Sequence, residues 1–98
     1  MPSYTTLSDD QIQAQLNGLP GWERDGDRIA KTYTFGSFRE AISFIVRLSF
    51  VCEAHNHHPE LSNVYNRVTL ALTTHDEGNA ITTMDVTVAR EIEELSWV

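Results

Sequence analysis

The run at residues 37–59 constrains this chain more than any other segment. Ser37 and Glu40 have capping-box spacing, and Phe38, Ile42, Ile45, Leu48 or Ser49, and Cys52 follow at helical intervals. Pro59 biases the residue before it away from helical geometry, so this helix must end near Asn56 to His58. A chain of 98 residues with 41% hydrophobic content has material for one compact core around such a helix and too little for two. Residues 1–98 therefore read as a single domain.

The flanks supply the other elements. Ser8 and Gln11 repeat the capping-box spacing, Leu7 and Ile12 can form a hydrophobic staple, and Ile12 with Leu16 gives a short apolar stripe that stops at Gly18. Asp25-Gly26 is a turn signal between short runs at 22–24 and 28–35, which predicts a hairpin. In the second run Ile29, Tyr33 and Phe35 share one parity, with Lys31 interrupting. Across 63–74, Val64, Val68, Leu70 and Leu72 share a parity opposite Tyr65, Arg67, Thr69 and Thr73, the pattern of one strand buried on one face. A turn at 76–79, a short strand through Ile81, and a helix capped by Thr82 with Asp85 three residues on complete the chain; Val88, Ala89, Ile92 and Leu95 give that helix its apolar spacing. The predicted order is α-β-β-α-β-β-α. It implies an α+β fold, a four-stranded antiparallel sheet with helices packed on one face.

Charge and cysteine content narrow the function. Seven basic against 14 acidic side chains give a net charge of -7, which argues against direct nucleic acid binding, because phosphate backbones demand a concentrated basic surface. Cys52 is the only cysteine, so no intramolecular disulfide can form, and a reducing cytoplasm is expected. The opening MPSYTTLSDD has neither a basic nor an apolar leader region, and no apolar run approaches the roughly 20 residues that span a bilayer. Neither secretion nor membrane insertion is expected.

All four histidines lie between positions 55 and 75, three of them in Glu53-Ala-His55-Asn-His57-His58-Pro59. If the helix persists through His57, Glu53 stands one turn before it, and the helix C-terminus adds partial negative charge beside the ring. Both favour the imidazolium form, the property of a general acid working near neutrality. For any one histidine alone, a solvated ring complementing the helix dipole is the ordinary explanation, and His75 alone is an ordinary turn residue. A metal site built from His55, His57 and His75 is a second alternative. Against it stand the single cysteine, the lack of an HExxH motif and the lack of the glycines that flank cupin-type histidine pairs.

Taken together, Glu53 with His57-His58-Pro59, Tyr65 in NVYNRV, His75 in THDEG, and Asp85 resemble the signature of the pterin-4a-carbinolamine dehydratase family. LPGW around Trp22, the Phe-rich start of the central helix and the D-x-x-x-A-x-x-I-E pattern from Asp85 extend the resemblance from about Leu16 onward. The resemblance implies a four-stranded antiparallel sheet with helices packed on it, the architecture reached above from periodicity and caps. It also implies catalytic roles for His57, His58 and His75, with Glu53 and Asp85 as the acidic members. His55 matches no position of the family, and Leu61 stands where some members carry an aromatic residue two after the proline.

What the resemblance implies chemically is dehydration of a 4a-hydroxytetrahydropterin to quinonoid dihydropterin in tetrahydropterin recycling. Such a step is acid/base work with the pterin as substrate, and neither a cofactor nor a metal is expected. His57 and His75 form the expected acid/base pair, and His58 binds and orients the pterin. Glu53 is expected to tune His57, and Asp85 is read as a structural helix cap. Tyr65 is left out, because about 33 Å of extended chain separates it from His75. The alternatives are a protein-binding dimerisation cofactor of the same family and a His-ligated metal enzyme. A sheet covered on one side leaves a face and edges for partners, so a homodimer or homotetramer is expected.

Overall fold

The structure, a computed structural model, describes residues 4–96. Ser8 starts the first helix, α1 (Asp9–Leu16), with the expected capping box: its hydroxyl accepts the Gln11 N–H, and the Gln11 side chain accepts the Ser8 N–H. The hairpin follows as β1 (Glu23–Asp25) and β2 (Arg28–Thr34), joined by Gly26 and Asp27. Gly26 has φ 65, a conformation in which any side chain would be strained.

The central helix α2 (Phe38–His55) begins at Ser37, whose hydroxyl accepts the Glu40 N–H. Glu40 bonds the Gly36 N–H instead of the Ser37 N–H, so its expected capping box is half made. The buried stripe is Ala41, Phe44, Leu48 and Cys52. Phe38 and Ile42, expected on that stripe, stand on the outer face with Val46 and Phe50. Two apolar stripes on one helix made the inner one ambiguous from spacing alone. Burial pushes the Cys52 thiol up, with Glu53 adding to it, so the thiol stays protonated in the core.

After the helix the chain departs from expectation. The run at 63–74 is two elements, the end of β3 (Glu60–Val64) and β4 (Arg67–Leu72), joined by a hairpin turn at Tyr65 and Asn66. Tyr65 adopts φ 52, and the turn is held by the Asn63 side chain bonding the Tyr65 and Arg67 carbonyls and by Asn66 bonding the Phe35 carbonyl. Val64 pairs with Arg67 and is exposed, so it lies on the opposite face from Val68, Leu70 and Leu72. The expected strand through Ile81 is reduced to isolated bridges, Thr74 to Ala80 and Thr6 to Thr82. The last helix, α3 (Thr83–Leu95), has Thr82 and Asp85 in the predicted capping box.

The sheet order is β1-β2-β4-β3, with every neighbouring pair antiparallel. Ile29, Val68, Leu70 and Leu72 point at α2 and α3 and are fully buried with Phe44, Val88, Ala89 and Ile92. The Phe44 ring lies 4.7 Å from that of Tyr33 and 5.0 Å from that of Phe35. Burying a Phe of this kind is worth about 1.5–3 kcal/mol over leaving it exposed. Lys31 interrupts the apolar parity of β2 because Glu93 of α3 faces it, Nζ to Oε2 2.7 Å.

Candidate active site

The geometry of the histidines is set by Asn56. It caps α2 in the left-handed region, φ 51 and ψ 45, and the His57 N–H reaches back to the Cys52 carbonyl at 2.9 Å. The helix thus ends at His55, before Pro59 can act, and the chain turns so that His57 and His58 no longer follow helical spacing. Glu53 therefore meets a different ring from the expected one: the His58 Nε2–H donates to Glu53 Oε1 at 2.9 Å, and His57 turns away from Glu53.

The partner of His57 is Asp85. Its Nε2–H donates to Asp85 Oδ1 at 2.6 Å, and the other carboxylate oxygen accepts the Thr82 N–H and the Thr74 hydroxyl, each at 2.8 Å. The Thr82 and Thr74 hydroxyls are 2.7 Å apart, which extends the chain of donors behind the carboxylate. Asp85 has no exposed surface, and a buried carboxylate without such partners would be strongly destabilising. It is both the cap of α3 and the anchor of an imidazole, whereas its capping spacing alone advertised only the first.

His75 opens the short 3-10 turn His75–Glu77, three residues beyond the end of β4. Its Nδ1–H donates to the Asn79 side-chain oxygen at 2.7 Å. His55 is held across the α2–α3 contact, its Nε2–H donating to Glu91 Oε2 at 2.6 Å. Each of the four rings is therefore tied through one nitrogen. Among the described residues, no hydrogen bond is formed by the other. Glu91 and Asn79 were missed from sequence; the only signal for Asn79 was an amide four residues beyond His75 in a turn.

His55, Asn56, His57, His58, Thr74 and His75 line one cavity of about 270 Å³, completed by Tyr4, Asp76 and Met84. Residues from the end of α2, the end of β4 and the start of α3 thus meet there. Tyr65, in the β3–β4 turn, does not line this cavity. Among the described residues, no group of three His, Cys, Asp or Glu side chains is arranged to hold a metal ion. No helix among them is long and apolar enough to cross a membrane.

The profile of the family described as Pterin 4 alpha carbinolamine dehydratase matches residues 5–95. The chain belongs to the pterin-4a-carbinolamine dehydratase family. Within it, a protein of Opitutus terrae named "Putative pterin-4-alpha-carbinolamine dehydratase" is 54% identical, covering 100% of this chain and 99% of that protein. A relative of the same name from Thermomicrobium roseum is 46% identical over 92% of this chain and 96% of its own length. Among solved structures, the transcriptional coactivator/pterin dehydratase of Brucella melitensis superposes with a TM-score of 0.88 at 31% identity, covering 93% of this chain and 98% of that one. The dehydratase-family fold is therefore shared along nearly the whole chain.

Proposed function

We propose that this protein is a hydro-lyase that converts 4a-hydroxytetrahydropterin to quinonoid dihydropterin in tetrahydropterin recycling, using histidine acid/base catalysis. The observation that carries the reading is the convergence of His57, His58 and His75 on one cavity, each ring tethered through one nitrogen and open at the other. Family membership supports the substrate class.

The tethers suggest the division of labour. With Nδ1–H committed to Asn79, the neutral His75 ring presents a lone pair at Nε2 and takes the proton from N5 of the pterin. His57, whose Nε2–H faces the buried Asp85 carboxylate, carries its second proton at Nδ1 and delivers it to the departing 4a-hydroxyl. The C4a–O bond breaks, the hydroxyl leaves as water, and the N5–H electron pair becomes the new C=N bond. His58, steadied by Glu53, orients the ring system. No electron leaves or enters the pterin, and the chemistry calls for neither a cofactor nor a metal.

The outer stripe of α2 supports a homodimer or homotetramer: Phe38, Ile42, Val46 and Phe50 recur every fourth residue and are 50%, 37%, 52% and 71% exposed. The same stripe supports the second reading, a dimerisation cofactor for another protein. The lone buried Cys52 fits a cytoplasmic setting. The deciding experiment is an absorbance assay of purified protein on a 4a-hydroxytetrahydropterin. Quinonoid product forming faster than in buffer is expected, and a rate equal to the uncatalysed one would defeat the proposal.

A further inference from the structure

Every cavity residue so far given a role hydrogen-bonds. A fused heterocycle also has two flat faces, and among the described lining residues only Tyr4 and Met84 offer substantial apolar surface beside the imidazoles. Tyr4 is not a loose end. The Thr5 N–H donates to Thr83 Oγ1 at 3.0 Å, the Thr83 N–H returns to the Thr5 carbonyl at 2.9 Å, and the Leu7 N–H donates to the Ile81 carbonyl at 3.0 Å. The chain before α1 is thereby laid along the start of α3, the same turn that carries Asp85 and so fixes His57. From the other side the Tyr4 hydroxyl donates to Asp76 Oδ2 at 3.3 Å, next to His75. The phenol is therefore referenced to both elements that position the acid/base pair.

We propose that Tyr4 is a substrate-binding residue of this site, its ring forming the flat wall on which one face of the heterocycle rests. The inference rests on the pterin reading above and adds a residue from outside the histidine signature. Stacking of a heteroaromatic ring on a tyrosine contributes to ground-state binding and transition-state binding alike, so it belongs in KM and not in kcat. The backbone bonds of Thr5 and Leu7 hold the segment in place, and the hydroxyl does not touch the pterin.

The test is steady-state kinetics on 4a-hydroxytetrahydropterin with wild type, Tyr4→Ala, Tyr4→Leu and Tyr4→Phe, each checked for an unchanged thermal unfolding midpoint. Tyr4→Ala should raise KM on the order of 10-fold with kcat within about twofold of wild type. Tyr4→Leu, which keeps apolar bulk and fills the same segment, should share that loss, and Tyr4→Phe should restore wild-type KM. An unchanged KM in Tyr4→Ala, recovery by Leu, or an equal loss in Phe would each overturn the role of the ring. An inactive wild type would instead remove the pterin reading itself, so the two failures are distinguishable.

Discussion

Glu93 and His75 hold polar groups in opposite ways. The Glu93 carboxylate accepts from Lys31 Nζ at 2.7 Å, from Trp22 Nε1 at 3.2 Å and from the Tyr33 hydroxyl, so its donors are crowded onto one oxygen inside the layer between sheet and α3. Burial alone would push the Glu93 carboxyl up, but the donors from Lys31, Tyr33 and Trp22 outweigh it and hold it below the ordinary carboxylate range. Burial and the nearby carboxylate push the Tyr33 phenol up. In the histidine cavity each ring has, among the described residues, one partner and one open nitrogen. A saturated cluster stabilises the fold; a half-saturated one is ready for a ligand. The contrast separates two kinds of clustered polarity that look alike in a sequence, one enclosed by the core and one open to solvent at His58 and His75.

Replacing His75 gives the largest separation. His75→Ala should lower turnover on the order of 100 to 10,000-fold while leaving the urea unfolding midpoint in place, since the ring is exposed and, among the described residues, bonded only to Asn79. His57→Ala should lose turnover similarly and also cost about 1–3 kcal/mol of stability, because it strips a fully buried Asp85 of one partner. Equal stability loss in both variants, measured by urea unfolding, would erase the distinction between a tethered ring and a structural anchor.

Glu93→Ala is the mirror experiment. It leaves the Lys31 ammonium, whose side chain is 14% exposed, without its carboxylate and should cost about 3 kcal/mol, with turnover per folded molecule unchanged. The pH dependence has a definite sign. The folded-state carboxyl of Glu93 lies below its unfolded value, so its contribution is complete above an unfolded value of about 4.3 and fades as pH falls through the folded one. The stability gap between wild type and Glu93→Ala should therefore shrink in acid. A gap that stayed constant from neutral pH into strong acid would mean that Lys31 and Glu93 contribute no charge-dependent stability.

Much of this arrangement was legible in the sequence because local rules dominate it. Capping boxes at Ser8 and Thr82 and the Asp25-Gly26 signal are short-range patterns, and the structure places them where spacing put them. The failures share a cause in backbone conformation that residue type did not advertise. Asn56 enters the left-handed region one residue after the helix and redirects Glu53 from His57 to His58. Tyr65 does the same inside a run whose alternation read as one strand, so the right number of strands was reached with the last two misplaced. The partnerships of Lys31 with Glu93 and of Tyr4 with the cavity join opposite ends of the chain, where spacing carries no information.

The smallest effect tests whether that misread turn belongs to either polar region. Tyr65 is 65% exposed and holds φ 52, a conformation costly for a residue with a side chain. Tyr65→Gly removes that strain at the expense of a more flexible unfolded chain, and the balance should stabilise the protein by about 0.5–1 kcal/mol in urea unfolding. Turnover should not change, because the turn contributes nothing to the cavity of its own chain. A loss of turnover in a stable Tyr65→Gly protein would place this aromatic ring at the cavity of a second copy, and the boundary of the functional region would then extend beyond one chain.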